Sequence, residues 1–246
     1  MLRFVILIPF YNHYEDLNRF LPHLLALNLP LLIVNDGSSE DETLKLRQLV
    51  TDKNVRYLEL RKNKGKGAAF IAGLQEAESA GFTHIIQIDA DGQHNLQDLK
   101  SFMDLAVQNP QALINGVPEF DESVPRSNFW GHKFTNFWVS VETLSNKIAD
   151  AMCGFRIYPL QGLRPVIPKL KFMRMGFDIE ILVRSCWEGI EIINLKTKVT
   201  YPVGGVSHFK KVRDNCSISL LHTYLCCIAP FNLLRYYLRK WKKQLR

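Results

Sequence analysis

Two aspartates and a glutamine lie close together in the segment DADGQH, residues 89–94. An apolar run ends directly before them at Ile88, so the motif follows a predicted strand. Carboxylates one residue apart at a strand end can approach one divalent cation, and an amide oxygen can join them. Such oxygen ligands suit Mg²⁺ or Mn²⁺, which makes Asp89, Asp91 and Gln93 candidate metal ligands. The alternative is a solvated acidic turn, because so short a pattern is common.

A third carboxylate, Asp36, follows another apolar run in the segment VNDGSS. Acids at such strand ends accept hydrogen bonds from the base or the ribose of a nucleotide. Ser39 and Glu42 are predicted to form a capping box at the start of the next helix. Capping by Ser38 and Ser39 would leave Asp36 free for a ligand. The alternative is a turn whose only role is to cap that helix.

A glycine-rich turn with two lysines, NKGKG, occupies residues 63–67 and precedes a predicted helix. It lacks the spacing of a P-loop. Small residues nevertheless let the backbone approach a ligand, and a helix N-terminus favours anions. A tight turn with solvated lysines is the other interpretation.

Strands and helices are predicted to alternate over residues 3–116, which implies a mostly parallel, Rossmann-like α/β sheet with helices on both faces. Such sheets bind ligands at the carboxyl ends of their strands. The polar clusters at residues 9–12, at Asp36 and at residues 89–93 all follow predicted strands, so we expect them to meet at one edge. The predicted strands centre on Phe4–Ile8, Leu31–Val34, Val55–Leu58, His84–Ile88 and Ala112–Ile114.

The second half of the chain is less regular, and no linker divides it from the first. We predict one α/β domain over residues 1–215 and a basic amphipathic helix over residues 216–246. Within the domain the pattern predicts a loop at 117–128, a helix at Trp130–Ile148, a strand at Phe155–Tyr158, a helix at Phe177–Trp187 and two short strands within Ile190–Val203.

Composition narrows the class of protein. Hydrophobic residues make up 47% and charged residues 22% of 246 residues, which excludes a disordered chain. The net charge is +7, but residues 215–246 hold six basic residues and no acid, so the remainder is nearly neutral and nucleic acid is not an expected partner. An odd set of five cysteines without metal-binding spacing indicates reduced thiols and a cytoplasmic protein. We expect no signal peptide, and no apolar run long enough to cross a bilayer.

Four segments in order give the chain a resemblance to a known family. They are IPFYN at 8–12, NDGS at 35–38, NKGKG at 63–67 and DADGQ at 89–93, and DAMCGFR at 150–156 adds a fifth, looser match. The sequence resembles family-2 glycosyltransferases, and within them the dolichyl- or polyprenyl-phosphate mannose and glucose synthases.

The resemblance implies a GT-A fold and a metal-dependent glycosyltransferase that inverts the anomeric carbon. The donor would be a UDP- or GDP-sugar, with Mg²⁺ or Mn²⁺ as cofactor, and the acceptor a lipid-linked or lipid-like molecule such as a polyprenyl phosphate. The residues implied to bind the metal that bridges the diphosphate are Asp89, Asp91 and Gln93. The residues implied to bind the nucleotide sugar are Pro9, Tyr11, Asn12, Asp36, Lys66 and Asp89.

Three further residues are candidates for the same site. Arg156 is a candidate second cation near phosphate, and Asp91, Arg156 and Asp178 form the candidate catalytic set. Asp178 could act as a general base if the acceptor is a hydroxyl; otherwise it is an acid in a first helical turn. His208 could contact the metal or the diphosphate, or it could be structural.

The tail combines apolar and aromatic residues at three- and four-residue steps with lysine and arginine on another side. This pattern is typical of a helix in a membrane interface, and it predicts a peripheral protein on the cytoplasmic face of an anionic membrane, held through residues 216–246. A helix packed on the body with a solvated basic end is the alternative. Two other functions remain open, namely a nucleotidyltransferase that makes nucleotide sugars and a non-catalytic nucleotide-binding module on a membrane.

Overall fold

The computed structural model describes residues 1–120, 124–200 and 211–244 of the chain. Within these ranges one seven-stranded sheet forms the centre of the molecule. Its strands are β1 (Phe4–Phe10), β2 (Leu31–Asn35), β3 (Val55–Glu59), β4 (His84–Gln87), β5 (Leu113–Phe120), β6 (Arg156–Pro159) and β7 (Ile192–Val199).

The strands lie in the order β3-β2-β1-β4-β6-β5-β7. The first four are mutually parallel, β6 runs antiparallel to both its neighbours, and β5 and β7 are parallel to each other. The predicted GT-A type of α/β fold, with a mostly parallel sheet, is confirmed. All the strands predicted before residue 116 are present. The continuous apolar runs of β1 and β2 suit strands that are buried on both faces, whereas β3 is an edge strand with exposed side chains.

Helices cover both faces of the sheet. They are α1 (Tyr14–Leu25), α2 (Glu40–Leu49), α3 (Lys66–Ser79), α4 (Leu99–Gln108), α5 (Arg126–Thr143), the short α6 (Leu160–Leu163), α7 (Phe177–Glu188) and α8 (Lys211–Gln244). The predicted capping of α2 is confirmed, since Ser39 accepts a hydrogen bond from the backbone N–H of Glu42. Helix α1 continues through Pro22, where the sequence predicts a bend or a break.

The second half of the chain departs from the prediction at α5, which spans Arg126–Thr143 where Trp130–Ile148 was predicted, and at two strands. The loop predicted at 117–128 is partly strand, because β5 continues to Phe120. The two short strands predicted within Ile190–Val203 are the single strand β7 over the residues that the structure describes there. Both strand differences follow from one pairing, since β5 and β7 run side by side along their whole lengths. These two segments are far apart in the sequence, so the hydrophobic periodicity of neither one reveals their pairing.

Two hydrophobic clusters form the core, one on each face of the sheet. Alternate residues of β1 enter different clusters: Val5 and Leu7 pack with α3, α7 and α8, whereas Ile6 and Ile8 pack with α1 and α4. Both faces of the central strands are therefore covered by apolar side chains. Most polar side chains of these strands lie at the strand ends. This arrangement leaves the carboxyl edge of the sheet for a site.

Helix α8 packs one face on the body. Its buried residues recur at three- and four-residue steps, as one face of a helix requires: Asp214, Ile218, Leu221, His222, Leu225, Ala229 and Leu233. The predicted C-terminal helix is confirmed, and it begins at Lys211 in the described part of the chain. The expectation that no segment could cross a bilayer is corrected. The helical segment Val212–Lys242 is long and apolar enough to do so, judged by length and composition alone. A helix packed in a protein core can pass the same test.

A buried polar pair joins α8 to α5. His222 and Glu142 are hydrogen bonded, with 2.7 Å between Nδ1 and Oε1. The backbone carbonyl of Glu142 also accepts a hydrogen bond from the indole of Trp187 in α7. Burial raises the pKa of the Glu142 carboxyl, while His222 acts in the opposite direction. These contacts hold the three helices in one layer over the sheet.

Two neighbouring leucines test this packing. Leu221 is fully buried and Leu220 is 62% exposed. We expect Leu221→Ala to lower the free energy of unfolding by about 2–5 kcal/mol, because it leaves a cavity under α8. Leu220→Ala, the matched control, should change it by about 0.5 kcal/mol or less. Urea titration monitored by circular dichroism measures both, and equal effects would mean that α8 does not pack on the body.

Candidate active site

A cleft of about 760 Å³ opens at the carboxyl ends of β1, β2 and β4. Of the predicted site residues that the structure describes, all line this cleft except Arg156: Pro9, Tyr11, Asn12, Asp36, Lys66, Asp89, Asp91, Gln93 and Asp178. They converge because parallel strands end at one edge of the sheet, and because α3 and α7 begin beside that edge. His208 lies outside the described residues.

Lys66 is the centre of the cleft floor. Its Nζ lies 2.7 Å from Asp89 Oδ1 and 2.8 Å from Asp178 Oδ2. Burial alone would lower the pKa of this ammonium, but Asp178 and Asp89 raise it above its usual value. Burial would likewise raise the pKa of Asp89, yet Lys66 holds that pKa below its usual range. Lys66 and Asp89 therefore stabilise each other's charged form on the cleft floor.

The loop before Lys66 has a backbone that glycine allows. Gly65 has φ +102°, and a Cβ at this position would overlap the carbonyl group of Met173. The backbone N–H of Gly67 donates a hydrogen bond to that same carbonyl oxygen, at 2.8 Å. The glycine-rich turn thus packs against the segment that precedes α7, which brings Lys66 to Asp178.

Gly154 makes room for Asp89. A Cβ on Gly154 would lie 2.5 Å from Asp89 Cγ and would overlap its Oδ2. Real Cβ atoms do not approach other atoms so closely, and Gly154 lies on the backbone that leads into β6. The looser sequence match at residues 150–156 therefore has a physical role, since it allows the Asp89 carboxylate to lie against the chain.

Asp91 lies close enough to Asp89 for the two carboxylates to affect each other. Burial and the charge of Asp89 both raise the pKa of Asp91. One oxygen of Asp91 accepts a hydrogen bond from the backbone N–H of Gln93, at 3.1 Å. Asp89 is paired with Lys66, whereas the negative charge of Asp89 disfavours the charged form of Asp91. A cation that binds between the two carboxylates would relieve this repulsion.

The protein residues here can supply only some of the ligands of a divalent ion, so the remaining coordination positions would be open to water or substrate. No group of three or more His, Cys, Asp or Glu side chains is arranged to hold a metal within the described ranges. Asp89, Asp91 and Gln93 offer two carboxylates and one amide. Such a set matches Mg²⁺ or Mn²⁺, which are often bound by one or two carboxylates together with substrate phosphates and water.

Asp36 differs from its predicted state. Its Oδ1 accepts a hydrogen bond from the backbone N–H of Lys64 at 2.8 Å, and its Oδ2 accepts one from Gly65 at 2.7 Å. The premise that Asp36 is free for a ligand is therefore wrong. The capping did occur as expected, but the carboxylate binds the glycine-rich loop instead. Burial raises the pKa of Asp36, against the effect of those two hydrogen bonds.

Arg156 lies beneath the cleft and not in it. Its side chain is fully buried, and its guanidinium donates to the backbone carbonyls of Ala151 and Asp178 and to the side chain of Asn115. Its Nη1 is 3.5 Å from Asp178 Oδ1. This geometry disagrees with a second cation in contact with phosphate. It favours a positioning role, because Arg156 ties β6 to the start of α7.

Asp178 is also engaged by its neighbours. Gln87 Nε2 donates to its Oδ1 at 3.0 Å, and Lys66 is bound to its other oxygen. Both oxygens of the Asp178 carboxylate thus already face a donor from the protein. The general-base role for Asp178 stays a prediction that this arrangement does not favour.

Two cleft arginines were missed by sequence reasoning. Arg174 and Arg213 both line the cleft, the first just before α7 and the second in the first turn of α8. Arg174 donates hydrogen bonds to the side chain and the backbone carbonyl of Asn63, next to the glycine-rich turn. Its place four residues before the candidate Asp178 was the available signal for Arg174. Arg213 had none, because only tertiary packing brings α8 to the cleft.

His94 is a further neighbour of the site. It is buried, its ring centroid lies 5.5 Å from that of Phe155, and its Nδ1 has no hydrogen-bond partner among the described residues. Burial lowers the pKa of this imidazole, although Asp89 and Asp91 oppose the shift. Its position in the DADGQH segment was visible in the sequence, but no role was assigned to it.

The chain matches Glycosyl transferase family 2 over residues 5–164, which include every strand-end cluster of the cleft. The chain belongs to this family. Its predicted resemblance is thereby confirmed, and the cleft lies at the carboxyl edge of the sheet that the matched region builds.

Among curated proteins, a dolichyl-phosphate beta-glucosyltransferase of Dictyostelium discoideum is 28% identical over 200 residues, covering 72% of this chain and 60% of that protein. A polyprenol monophosphomannose synthase of Mycolicibacterium smegmatis is 25% identical over 218 residues, covering 83% of this chain and 80% of the relative. This chain thus spans less than two thirds of the Dictyostelium relative.

Solved structures share the fold at low sequence identity. One is glucosyl-3-phosphoglycerate synthase of Mycobacterium tuberculosis, in a complex with Mn²⁺, UDP and glucosyl-3-phosphoglycerate. It superposes on this chain with a TM-score of 0.64 at 12% identity, and the match covers 91% of this chain and 80% of the synthase chain. TarS of S. aureus, in complex with UDP-GlcNAc, has a TM-score of 0.63 at 14% identity and covers 96% of this chain and 72% of its own. These likenesses support the fold.

A pair of glycine substitutions tests the role of Gly154. If the cleft binds the donor sugar nucleotide that the sequence resemblance implies, we expect Gly154→Ala to reduce kcat/KM for donor turnover at least tenfold, because its Cβ displaces the Asp89 carboxylate. Gly131→Ala is the matched control, since nothing lies within 4 Å of a Cβ there, and it should stay within twofold. Release of nucleoside diphosphate measures turnover, and circular dichroism checks the fold. Full turnover by a folded Gly154→Ala protein would contradict this role.

Proposed function

We propose that this family-2 protein transfers a sugar from a UDP- or GDP-sugar to a polyprenyl-phosphate-type lipid, with inversion at the anomeric carbon and with Mg²⁺ or Mn²⁺. The observation that carries the proposal is the charged floor of the cleft, where Lys66 lies between Asp89 and Asp178 and Asp91 is beside them. Family membership favours glycosyl transfer over nucleotidyl transfer or a purely binding role.

The donor diphosphate would lie above this floor. Asp89, Asp91 and Gln93 would hold the divalent ion together with phosphate oxygens. When bound, that ion supplies Lewis-acid stabilisation of the negative charge on the departing diphosphate. Lys66 keeps its positive charge at the same point because two carboxylates hold it there, and so needs no rearrangement to donate to a phosphate oxygen.

The base and the ribose would lie over the ends of β1 and β2. Pro9, Tyr11 and Asn12 line that part of the cleft. Asn12 is held in place, because its backbone N–H donates to Ser38 and its side-chain oxygen accepts from the backbone of Ser39. Asp36 supports this pocket indirectly, since it orders the glycine-rich turn.

The engaged state of Asp178 supports a phosphate acceptor. A hydroxyl acceptor needs a base to take its proton, whereas a phosphate is already anionic and attacks without one. Asp178 is occupied by Lys66 and Gln87. The cleft arginines Arg174 and Arg213 offer cations that could bind an incoming phosphate. The chemistry of the cleft thus suits a lipid phosphate better than an alcohol.

The tail would hold the enzyme at the membrane that carries such a lipid. Residues 216–246 have no acidic side chain, so an anionic leaflet would attract them. We propose a peripheral position on the cytoplasmic face. The related dolichyl-phosphate glucosyltransferases and the polyprenol monophosphomannose synthase act, by their names, on lipid-linked substrates, which agrees with this location.

Replacement of one candidate metal ligand tests the donor half of the proposal. Asp91→Asn keeps the size of the side chain but removes its charge, so we expect a loss on the order of a hundredfold in Mn²⁺-dependent transfer. Asp104→Asn, which changes an exposed acid of α4 that pairs with Lys100, is the control and should be unaffected. The assay is radiolabelled sugar transfer to polyprenyl phosphate in detergent. Undiminished transfer by Asp91→Asn would sink the assignment.

Replacement of a cleft arginine tests the acceptor half. We expect Arg213→Ala to raise the KM for polyprenyl phosphate about tenfold, because the variant lacks the guanidinium that would hydrogen bond the acceptor phosphate. The KM for the nucleotide sugar should stay within twofold. Arg164→Ala is the control, since Arg164 pairs with Glu78 and does not line the cleft. A change confined to the donor KM would assign Arg213 to the other substrate.

A further inference from the structure

Two charged residues of α7, Glu180 and Arg184, lie almost wholly inside the protein. Glu180 is fully buried and Arg184 is 4% exposed. They are one helical turn apart and form an ion pair, with 2.7 Å between Arg184 Nε and Glu180 Oε1. A buried ion pair is often no more stabilising than apolar side chains of similar size. Its presence here therefore indicates a specific contact rather than added stability.

The second oxygen of Glu180 binds the backbone of the segment that precedes α7. This Oε2 accepts hydrogen bonds from the backbone N–H groups of Lys171 and Phe172, both at 2.8 Å. Lys171 and Phe172 belong to neither a helix nor a strand, so no regular secondary structure supplies acceptors for their N–H groups. One buried carboxylate therefore fixes the course of the chain at this point.

The residues that follow form one wall of the cleft, and we call residues 171–175 the wall segment. Arg174 lines the cleft, and its Nη1 donates a hydrogen bond to Asn63 Oδ1 at 2.6 Å. The carbonyl oxygen of Met173 accepts a hydrogen bond from the backbone N–H of Gly67 at 2.8 Å. The wall segment thus holds the glycine-rich turn at both of its ends.

Lys66 depends on that turn for its position. It follows Gly65, whose Cβ, if present, would overlap the carbonyl group of Met173. From this place the ammonium of Lys66 reaches the carboxylates of Asp89 and Asp178. A shift of the wall segment would therefore move the turn, and with it the ammonium on the cleft floor.

Arg184 connects the same carboxylate to α8. Its Nη2 donates to the hydroxyl of Tyr224 at 3.1 Å, and its guanidinium carbon lies 5.7 Å from the centre of that ring. The ammonium of Lys171 lies 5.2 Å from the same ring centre, and the ring of Phe172 is 5.9 Å away. Tyr224 therefore contacts Arg184 and the first two residues of the wall segment together.

We propose that Glu180 is a positioning residue for the nucleotide-sugar pocket, a role that rests on the proposed function for the identity of the ligand. With Arg184 as its counter-ion, Glu180 fixes the wall segment, which in turn holds the glycine-rich turn and Lys66. A carboxylate suits this task because it accepts several hydrogen bonds at once, and charge-assisted hydrogen bonds are the stronger ones. Glu180 acts through backbone atoms and Lys66.

Two double variants separate this role from a contribution to stability. The glutamine variant is Glu180→Gln with Arg184→Met, and the leucine variant is Glu180→Leu with Arg184→Met. Both remove the two buried charges, so neither leaves an ion without its partner. Only the glutamine variant keeps a side-chain oxygen for the backbone N–H groups of Lys171 and Phe172.

A third variant, Glu188→Leu, is the matched control on the same helix. Glu188 is the last residue of α7, and its side chain is 7% exposed. Its carboxylate pairs with Lys169 and with Arg239 of α8, at the end of α7 away from the wall segment. This substitution therefore removes a similarly placed carboxylate without touching the contacts of Glu180.

Hydrogen–deuterium exchange measures the wall segment without any substrate. In the leucine variant, the amides of residues 170–176 and of residues 63–68 should exchange roughly tenfold faster than in the wild type, or more. Both segments should stay within about threefold in the glutamine variant and in the control, and β2 should do so in every protein. Unchanged exchange in a folded leucine variant would overturn the proposal, as would faster exchange at 170–176 with the turn unaffected.

Transfer kinetics test the consequence for the donor. The leucine variant should have a KM for the nucleotide sugar roughly tenfold above that of the glutamine variant, whose own KM should stay within about threefold of the wild type. A merely structural role would reduce the folded fraction and hence kcat, and would leave KM unchanged. A loss confined to kcat would therefore count against a positioning role.

Glu180→Asp keeps the test decisive if the leucine variant does not fold. It retains the charge beside Arg184 but withdraws the carboxylate from the wall segment by one methylene group. Exchange at residues 170–176 and 63–68 should then rise about threefold or more, with β2 unchanged. The absence of any rise in either segment would overturn the proposal.

The exchange measurement and the transfer measurement can fail independently. Exchange that follows the expected pattern in a protein that transfers no sugar would refute the proposed function and leave the role of Glu180 in the wall segment intact. Sugar transfer by the wild type, with normal exchange and a normal donor KM in the leucine variant, would refute the positioning role alone.

Discussion

The contact on which the site depends is the partly buried ammonium of Lys66 between the carboxylates of Asp89 and Asp178. Charges that are partly withdrawn from water are costly unless each faces an opposite charge, and loss of one partner leaves the others uncompensated. The three residues belong to the start of α3, the end of β4 and the start of α7. The contact therefore ties three distant parts of the chain together at the carboxyl edge of the sheet, and it sets a fixed charge pattern on the floor of the cleft.

The surrounding chain serves this arrangement through short-range sterics and buried hydrogen bonds. Asp150 accepts hydrogen bonds from the backbone of Met152 and Cys153 and from His132 in α5. That network shapes the turn that ends at Gly154, where the missing side chain admits the Asp89 carboxylate. Through His132 it also links the floor of the cleft to α5.

Sequence reasoning found the strand-end clusters because parallel strands oblige them to meet, and the apolar runs that signal buried strands are local. It was wrong about the free state of Asp36, because the backbone N–H groups that bind it come from residues 64 and 65 and only the fold brings them there. It put Arg156 in the cleft for a similar reason: an arginine at a strand end gives no local sign that Asn115 and two backbone carbonyls surround it. Arg213 was missed because α8 reaches the cleft by packing alone.

The most direct measurement of the central claim is electron paramagnetic resonance of Mn²⁺ titrated into the full chain with and without UDP-glucose or GDP-mannose. We expect Mn²⁺ to bind, and to bind more tightly when the matching nucleotide sugar is present, since two carboxylates and one amide leave coordination positions for its phosphates. Lys66→Met should weaken the nucleotide dependence without unfolding the sheet. Free Mn²⁺ at every nucleotide sugar tested, in a folded wild-type protein, would contradict the assignment of Asp89 and Asp91 to the donor diphosphate.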